Sequence, residues 1–293
     1  MRTKIAYHIA LWLLRTVSLC PLWLLYGLSN VSFYIVYHLI GYRKRTVREN
    51  LRNAFPDRSE TERRSIERKF YAHLCDLIVE TVKLFTIRRK HLKRRVEVTN
   101  GELVEQLAED GRPIVLFMGH YGNWEWMTAV TFYYRRPARS GQIYRPMRNG
   151  AMNQVFRRLR GRFGTQSIPQ AYAYRTLMSL HAQGEQSLIA FIADQHPNSE
   201  VLDHWTDFLH QETAFSVGGE KIGRKTNAHF LYLEVEKPCR GRYRLTFKPI
   251  DPCTTETDYP YTVAFMRMLQ ETIERKPELW LWSHKRWKFK PGR

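Results

Sequence analysis

The chain has 293 residues, of which 26% are charged and 13% are aromatic. This length suits one large α/β domain, or one domain with a helical appendage, and the composition excludes disordered, collagen-like and coiled-coil chains. The 47 Lys and Arg residues against 28 Asp and Glu residues give a net charge of +19, which indicates a polyanionic partner such as nucleic acid, an anionic membrane or an acidic protein. The four Cys residues form no C-x-x-C pair, so we expect neither a zinc ribbon nor a disulfide scaffold.

The first predicted element is the apolar segment 16–42, which contains no Asp, Glu, Lys or Arg. About 20 apolar residues cross a bilayer as a helix, so the segment is long enough for a transmembrane helix. Pro21 and Gly27 interrupt it, and two shorter helices that lie in the membrane interface fit equally. We therefore predict that residues 1–42 form a helical membrane anchor.

A secretory signal peptide is the competing interpretation of the N-terminus. A basic start followed by the apolar run 5–14 resembles the first two regions of such peptides. Arg15 then interrupts the run and no small-x-small cleavage site follows it, which favours an anchor that is retained. The basic flank Arg43–Arg45 indicates that the rest of the chain, 43–293, faces the cytoplasm.

Residues 43–95 are predicted to be helical and basic. Ser59 and Glu62 have the spacing of a capping box, in which each side chain bonds the other residue's backbone N–H. Apolar residues then recur at helical spacing as far as Phe85, which indicates a long amphipathic helix. The region ends in a basic cluster, Arg88–Arg95, in which seven of the eight residues are Lys, Arg or His.

The pattern changes to alternating strands and helices in residues 96–293. Short apolar runs predict buried strands at 114–118 and 187–193, and apolar–polar alternation predicts strands at 228–235 and 242–248. We therefore predict an α/β fold with a central mixed sheet flanked by helices, preceded by the anchor segment. This α/β part is the predicted catalytic region.

The most informative segment is Gly119–Glu125, in which a buried strand leads to a glycine-bounded turn that carries a histidine. On a continuous helix, a five-residue spacing places two side chains about 140° apart around the axis. With His120 in the turn and Glu125 in the first helical turn, the carboxylate can hold one imidazole nitrogen while the other takes a proton. An isolated H-x-x-x-x-E is more often a capping histidine and a surface ion pair, so its surroundings decide its meaning.

Further short motifs accompany this segment along nearly the whole chain. They are Arg48-Glu49-Asn50-Leu51, Phe55-Pro56, Tyr144-Arg145-Pro146, Ala193-Asp194-Gln195 and Pro277–Lys288. In this order they resemble the late lipid A acyltransferase family, the lauroyl and myristoyl transferases of Gram-negative bacteria, within the H-x-x-x-x-D/E glycerolipid acyltransferase superfamily. The stretch 211–213 departs from the family pattern, because many relatives carry glycine there.

The resemblance implies an O-acyltransferase that moves a fatty acyl chain from acyl carrier protein to a hydroxyl of a phosphorylated lipid A precursor. It implies that His120 is the general base and that Glu125 is the catalytic carboxylate that orients it. Arg145 and Arg160 are expected to bind substrate phosphate or carbonyl oxygen, since a guanidinium fork suits such oxygens. Asp194 follows a strand and is expected to contact substrate, or to fix Arg145 or a loop.

The expected reaction needs no cofactor, because the acyl carrier protein thioester is a co-substrate, and no metal-ligand motif such as H-E-x-x-H is present. The expected partners are the acidic carrier protein, the phosphorylated glycolipid and the anionic inner membrane, and all three suit a basic protein. The expected location is the bacterial inner membrane, with the catalytic region in the cytoplasm. The alternatives are the same chemistry on a lysophospholipid or another lipid, and a basic nucleic-acid-binding protein, which would explain the charge but neither the anchor nor the histidine motif.

Overall fold

Helices and strands alternate along most of the chain in a computed structural model, which describes residues 2–137, 139–197, 204–252 and 257–289. Within these ranges the α-helices are α1 Arg2–Leu19, α2 Leu22–Tyr34, α3 Lys44–Ala54, α4 Glu60–Lys83, α5 Arg89–Lys93, α6 Gly101–Ala108, α7 Gly150–Arg160, α8 Ala173–Ala182, α9 Gly218–Lys225 and α10 Pro260–Arg275. The strands are β1 Val96–Val98, β2 Ile114–Met118, β3 Arg139–Tyr144, β4 Gln166–Pro169, β5 Ser187–Ile192, β6 Trp205–Phe208, β7 Gln211–Ala214, β8 His229–Cys239 and β9 Arg242–Pro249. A π-helical stretch, Ile35–Ile40, continues α2, and short 3-10 helices lie at Trp126–Phe132, Gly161–Phe163, Gln170–Tyr172 and Pro277–Leu279.

A seven-stranded sheet forms the centre of the molecule, in the order β1-β9-β8-β2-β5-β3-β4. Strand β2 is parallel to both of its neighbours, β5 and β8, while β8 and β9 are antiparallel. Every residue of β2 is buried, as expected for a parallel strand that is covered on both faces. The predicted α/β class with a central mixed sheet is confirmed.

Successive residues of β2 contact helices on opposite faces of the sheet. Phe117 stacks on Phe265 of α10 with ring centroids 5.1 Å apart, so α10 covers one face. Leu116 and Met118 share a small apolar cavity with Met127, so the 3-10 helix Trp126–Phe132 covers the other face. The helix that the sequence predicts after the histidine turn is therefore present, as a 3-10 helix.

Helix α4 begins at the predicted capping box. The hydroxyl oxygen of Ser59 accepts a hydrogen bond from the N–H of Glu62 at 3.2 Å, and the Glu62 carboxylate accepts one from the N–H of Ser59 at 2.7 Å. On the predicted apolar face, Ile66, Phe70 and Leu77 are buried, whereas Ile78 is exposed. This long helix connects the N-terminal helices to the sheet.

The N-terminal apolar segment is divided at Pro21, as one of the two predicted arrangements requires. Helix α1 ends at Leu19 and α2 starts directly after the proline, whereas Gly27 lies inside α2 without interrupting it. The continuous helical stretch Leu22–Ile40 has a mean hydropathy of 1.2 and is long and apolar enough to cross a membrane. An apolar N-terminal helix is therefore present, and most of its outward side chains, such as Trp23, are exposed.

Candidate active site

The carboxyl ends of β2 and β5 bring a histidine and an aspartate together. Met118 and Ile192 are paired in the register of these two parallel strands. His120 and Asp194 each lie two residues beyond that pair, so the two side chains leave the same edge of the sheet next to each other. This edge is where open α/β sheets place their ligand sites.

The His120 ring is held by the carboxylate of Asp194. Nδ1 of His120 lies 2.6 Å from Oδ1 of Asp194, while Oδ2 accepts hydrogen bonds from the backbone N–H of His120 and from the indole N–H of Trp280, both at 2.8 Å. Because an ionised carboxylate only accepts hydrogen bonds, the proton of the neutral ring is on Nδ1. Nε2 therefore keeps its lone pair, and the side-chain amide nitrogen of Gln195 lies 3.2 Å from it.

Asp194 is fully buried but ionised. Burial alone would raise its pKa, but the charge and hydrogen bonds of His120, with the hydrogen bond from Trp280, lower the pKa below its ordinary value. The guanidinium of Arg286, also buried, adds a favourable charge interaction with this carboxylate. A fixed anion on Nδ1 stabilises the positive charge that develops when Nε2 takes a proton.

The structure corrects the predicted contact between Glu125 and His120. Glu125 instead accepts two hydrogen bonds from Arg160, from Nε at 2.9 Å and from Nη2 at 2.6 Å. Burial opposes the charge of Arg160, but the bonds to Glu125 raise its pKa above the ordinary value. The physical reason is strand register, because β5 ends directly beside β2 and delivers Asp194 to the imidazole nitrogen that Glu125 was expected to hold.

A cavity of about 560 Å³ opens at this edge of the sheet. His120, Glu125, Arg145 and Arg160 all line it. Arg145 is exposed and has no ion pair among the described residues, whereas Arg160 is already paired. Asp194 is not among the residues that line the cavity. Its carboxylate contacts the ring of His120 behind the cavity wall, and not the cavity itself as a substrate contact would require.

The turn that carries His120 is fixed by the C-terminal segment. The carbonyl of His120 accepts a hydrogen bond from the N–H of Leu281 at 3.1 Å, and the N–H of Gly122 donates to the carbonyl of Leu279 at 3.0 Å. Gly122 has a φ of +63°, and a Cβ there would lie 2.9 Å from a methyl group of Val235, so the turn requires glycine. The C-terminal motif seen in the sequence thus supports the turn and, through Trp280, Asp194.

Glu80 of α4 is a site-supporting residue that the sequence reasoning missed. It is completely buried, and its carboxylate accepts hydrogen bonds from the side chains of Asn123, Tyr243 and Tyr26, each at 2.8 Å. Burial raises its pKa. The sequence does place this glutamate on the apolar side of an amphipathic helix. A carboxylate is buried there only if hydrogen-bond donors surround it, so its position could have indicated a buried polar site. Through Asn123 it anchors the turn that carries His120 to both β9 and α2.

His73 lies beneath the same turn and is expected to make the folded protein less stable in acid. Its Nε2 is 3.2 Å from the carbonyl of Gly122, and burial lowers its pKa to about 3. Below pH ~6.5 the unfolded chain binds a proton that the folded chain does not, so the stability present above that pH decreases as the pH falls. From pH 6.5 to 5 the free energy of unfolding should fall by about 2 kcal/mol through this group, at about 1.4 kcal/mol per pH unit.

Urea unfolding at pH 7 and pH 5 measures this effect, and His73→Gln serves as the comparison because it keeps a donor near Gly122 without titrating. The loss of stability between the two pH values should be smaller in the variant by about 2 kcal/mol. Equal losses in the two proteins would contradict the prediction.

These features define an α/β enzyme with a histidine–carboxylate pair at the carboxyl edge of its sheet. Within the described ranges, no group of three or more His, Cys, Asp or Glu side chains is placed to hold a metal ion. Residues 2–289 match the family of bacterial lipid A biosynthesis acyltransferases, and the chain belongs to this family. The resemblance inferred from the sequence motifs is thereby confirmed.

Two curated relatives are similar along most of their length. The chain is 25% identical over 253 residues to the lipid A biosynthesis lauroyltransferase of Escherichia coli strain K12, which covers 85% of this chain and 80% of that protein. It is 22% identical over 250 residues to a lipid A biosynthesis acyltransferase of Haemophilus influenzae, covering 84% of this chain and 76% of that protein.

Proposed function

We propose that the protein transfers a fatty acyl chain from acyl carrier protein to a hydroxyl of a phosphorylated lipid A precursor at the cytoplasmic face of the bacterial inner membrane. The observation that carries the proposal is the imidazole of His120, which is oriented by Asp194 and faces a cavity that the exposed guanidinium of Arg145 also lines. Family membership supplies the reaction class, and the names of the relatives suggest the acceptor.

In the proposed reaction, Nε2 of His120 removes the proton from the acceptor hydroxyl as its oxygen attacks the thioester carbonyl. The tetrahedral intermediate then collapses, the carbon–sulfur bond breaks, and the imidazolium returns the proton to the leaving thiolate. The products are a new ester and the free thiol of the carrier. Asp194 stabilises the transient imidazolium, and Arg145 is the group proposed to bind substrate phosphate or carbonyl oxygen.

Glu125 and Arg160 remain proposed members of the site in a changed arrangement. Their ion pair lines the cavity, so it places a fixed charge pair beside the acceptor instead of acting on the imidazole. Arg160 can contact a substrate phosphate only with the donors that Glu125 leaves free. We therefore propose that Arg145 is the principal substrate-binding arginine of the two.

Mass spectrometry of lipid A tests the proposed function. Expression of the protein in a Gram-negative strain that lacks its own late acyltransferases should add the mass of one acyl chain to lipid A, and His120→Ala should not. An unchanged lipid A with the active protein present, together with acylation of a lysophospholipid offered to the purified enzyme, would establish the alternative acceptor instead.

The basic cluster Arg88–Arg95 is the surface that we propose for docking the acidic carrier. Strand β1 is parallel to β9, and β9 is antiparallel to β8, which runs parallel to β2. The start of β1 therefore lies at the sheet edge where β2 ends, and α5 immediately precedes it. The cluster and the cavity thus lie at the same end of the sheet, the end at which β2 finishes.

Lys90 and Arg94 are the suitable pair to test, because both are exposed, whereas Arg95 bonds the carbonyl of Gly241 at 3.2 Å. Replacing Lys90 and Arg94 with Glu should raise the KM for the carrier-bound donor by several-fold to about tenfold at low salt, and less at high salt.

A matched control reverses the same amount of charge elsewhere, at the exposed Arg52 and Arg68. This control variant should leave the KM for the donor near that of the unchanged protein. Equal KM values for the two double variants would remove the cluster from the docking surface.

A further inference from the structure

The apolar helix α2 packs antiparallel to α4, and polar side chains connect the two helices along most of α2. At the start, Lys83 donates hydrogen bonds to the carbonyls of Ser18 and Cys20 at 2.8 and 2.9 Å, which caps the end of α1. One turn into α2, Tyr26 donates to Glu80 of α4, as described above. These contacts hold the end of α1 and the first turns of α2 against the body of the protein.

The pairing continues past the middle of α2. The hydroxyl of Ser29 donates to the buried carboxylate of Asp76 at 2.7 Å. The guanidinium of Arg240, in the β8–β9 turn, donates to Asn30 at 2.9 Å and also pairs with Asp76. The ion pair between Arg240 and Asp76 therefore lies beside Ser29 and Asn30, close to the centre of the stretch Leu22–Ile40.

This arrangement is incompatible with a helix that crosses the bilayer. If Leu22–Ile40 spanned the membrane, its centre would lie in the hydrocarbon, and so would Asp76, Arg240 and the turn that joins two strands. Charged side chains at the bilayer centre are strongly unfavourable, and strand edges are not found exposed to lipid. The body of the protein therefore covers one side of the helix, and only the opposite side, its free face, is open to lipid.

The free face of α1, α2 and the π-helical stretch Ile35–Ile40 has the chemistry of a lipid interface. Its exposed large apolar and aromatic side chains are Ile5, Ile9, Trp12, Leu13, Val17, Leu19, Trp23, Leu24, Leu28, Val31, Tyr34, Ile35, Leu39 and Ile40. Tryptophan and tyrosine favour the headgroup level. Seven Lys or Arg residues precede Glu49, the first acidic residue of the chain, so the charge of this region complements an anionic bilayer.

We propose that α1 and α2 lie in the plane of the membrane interface and hold the protein on one leaflet, without crossing it. The occupant of the free face is an anionic lipid bilayer, into which such a helix sinks by about 5–10 Å. The inference rests on the membrane association within the proposed function but not on its chemistry. A failure of the acyl transfer test would leave it standing, and the reverse also holds.

Two neighbouring positions of α2 separate the possible arrangements. Leu28 is exposed on the free face, and Asn30 is exposed beside Arg240 on the side of the body. Leu28→Cys and Asn30→Cys are each made in a full-length chain whose Cys20, Cys239 and Cys253 are serine, and the buried Cys75 is kept. Both proteins are labelled with a membrane-impermeant maleimide, in detergent and on vesicles of phosphatidylethanolamine and phosphatidylglycerol, after a thermal melt has shown that they fold.

The expected result is a difference between the two thiols. Vesicles should slow labelling of Leu28→Cys by more than about tenfold and leave labelling of Asn30→Cys nearly unchanged. Protection of both thiols by vesicles would mean that the helix spans the membrane. Labelling of both at unchanged rates would mean that no lipid covers the face, and protection of Leu28→Cys without lipid, with the mass of a dimer, would identify a second copy as the occupant. Each of these three results overturns the proposal.

A second measurement needs no substitution in α2. The native Cys239 is exposed and lines the same surface pocket as Asn30 and Arg240. With Cys20 and Cys253 replaced by serine, this thiol should react equally fast with and without vesicles. Its protection by vesicles would place the pocket inside the bilayer and refute the in-plane arrangement, even if Asn30→Cys failed to fold.

Discussion

Replacing His120 with alanine is expected to lower kcat by about 10²–10⁴-fold, the usual range for the loss of a general base. The imidazole is the group whose unprotonated nitrogen faces the cavity, and Asp194 holds its other nitrogen in place. The side chain is only partly buried, so the variant should remain folded. The measurement is single-turnover acyl transfer from acyl carrier protein to a lipid A precursor in detergent.

Thermal unfolding of the same preparation is the control, because a fall in activity is informative only in a folded protein. His120→Gln is a useful second variant, since its amide keeps hydrogen-bonding capacity near Asp194 but cannot accept the proton. Near-normal turnover in a folded His120→Ala protein would overturn the catalytic assignment.

Asp194→Asn is expected to lower kcat by a comparable factor, about 10²–10⁴-fold, through the state of the imidazole. The amide oxygen of asparagine would face the two donors that now meet Oδ2, the backbone N–H of His120 and the indole of Trp280. The amide NH₂ would then donate to Nδ1 and move the ring proton to Nε2. The base would carry its proton at the position that must accept one.

Double variants distinguish the two carboxylates of the site. If Asp194 acts only through the ring, His120→Ala with Asp194→Asn should be little worse than His120→Ala alone. Glu125→Gln acts on the ion pair with Arg160, so its loss should multiply with that of His120→Ala. The opposite result would be multiplied losses of kcat when His120→Ala is combined with Asp194→Asn, and no further loss when it is combined with Glu125→Gln. That result would favour the contact between Glu125 and His120 that the H-x-x-x-x-E spacing suggested.

The partner of the histidine illustrates what a single sequence does and does not contain. The turn at Gly119–Gly122 was predictable from a short apolar run that ends in glycine, and so was the position of Asp194 after a second such run. Nothing in the order of residues states that these two strands are neighbours, or that Met118 pairs with Ile192. Register is set by packing between strands that are distant in sequence, so the nearer carboxylate, Glu125, was the natural but incorrect choice as the contact.

The same limit applies to the N-terminal segment. Its apolar character, its break at Pro21 and its basic flank were all evident from the sequence. Its orientation depends on Asp76 and Glu80, which occur on the predicted amphipathic helix but show no preference for α2 until the two helices pack. A hydropathy pattern measures how favourable a helix is in lipid, whereas the contacts along one side determine how much of it lipid can reach.

The support of the His120–Asp194 pair by the segment around Trp280 affects when this site can form during synthesis. His120 and Asp194 are 74 residues apart, and Asp194 receives its indole hydrogen bond from a residue 86 positions further along the chain. Strands β2 and β5 emerge from the ribosome well before Trp280 and Leu281 do, so a nascent chain can form part of the sheet but not a supported base. Such contacts between distant segments form late in folding, so the histidine–aspartate pair becomes fully supported only after Trp280 has been synthesised.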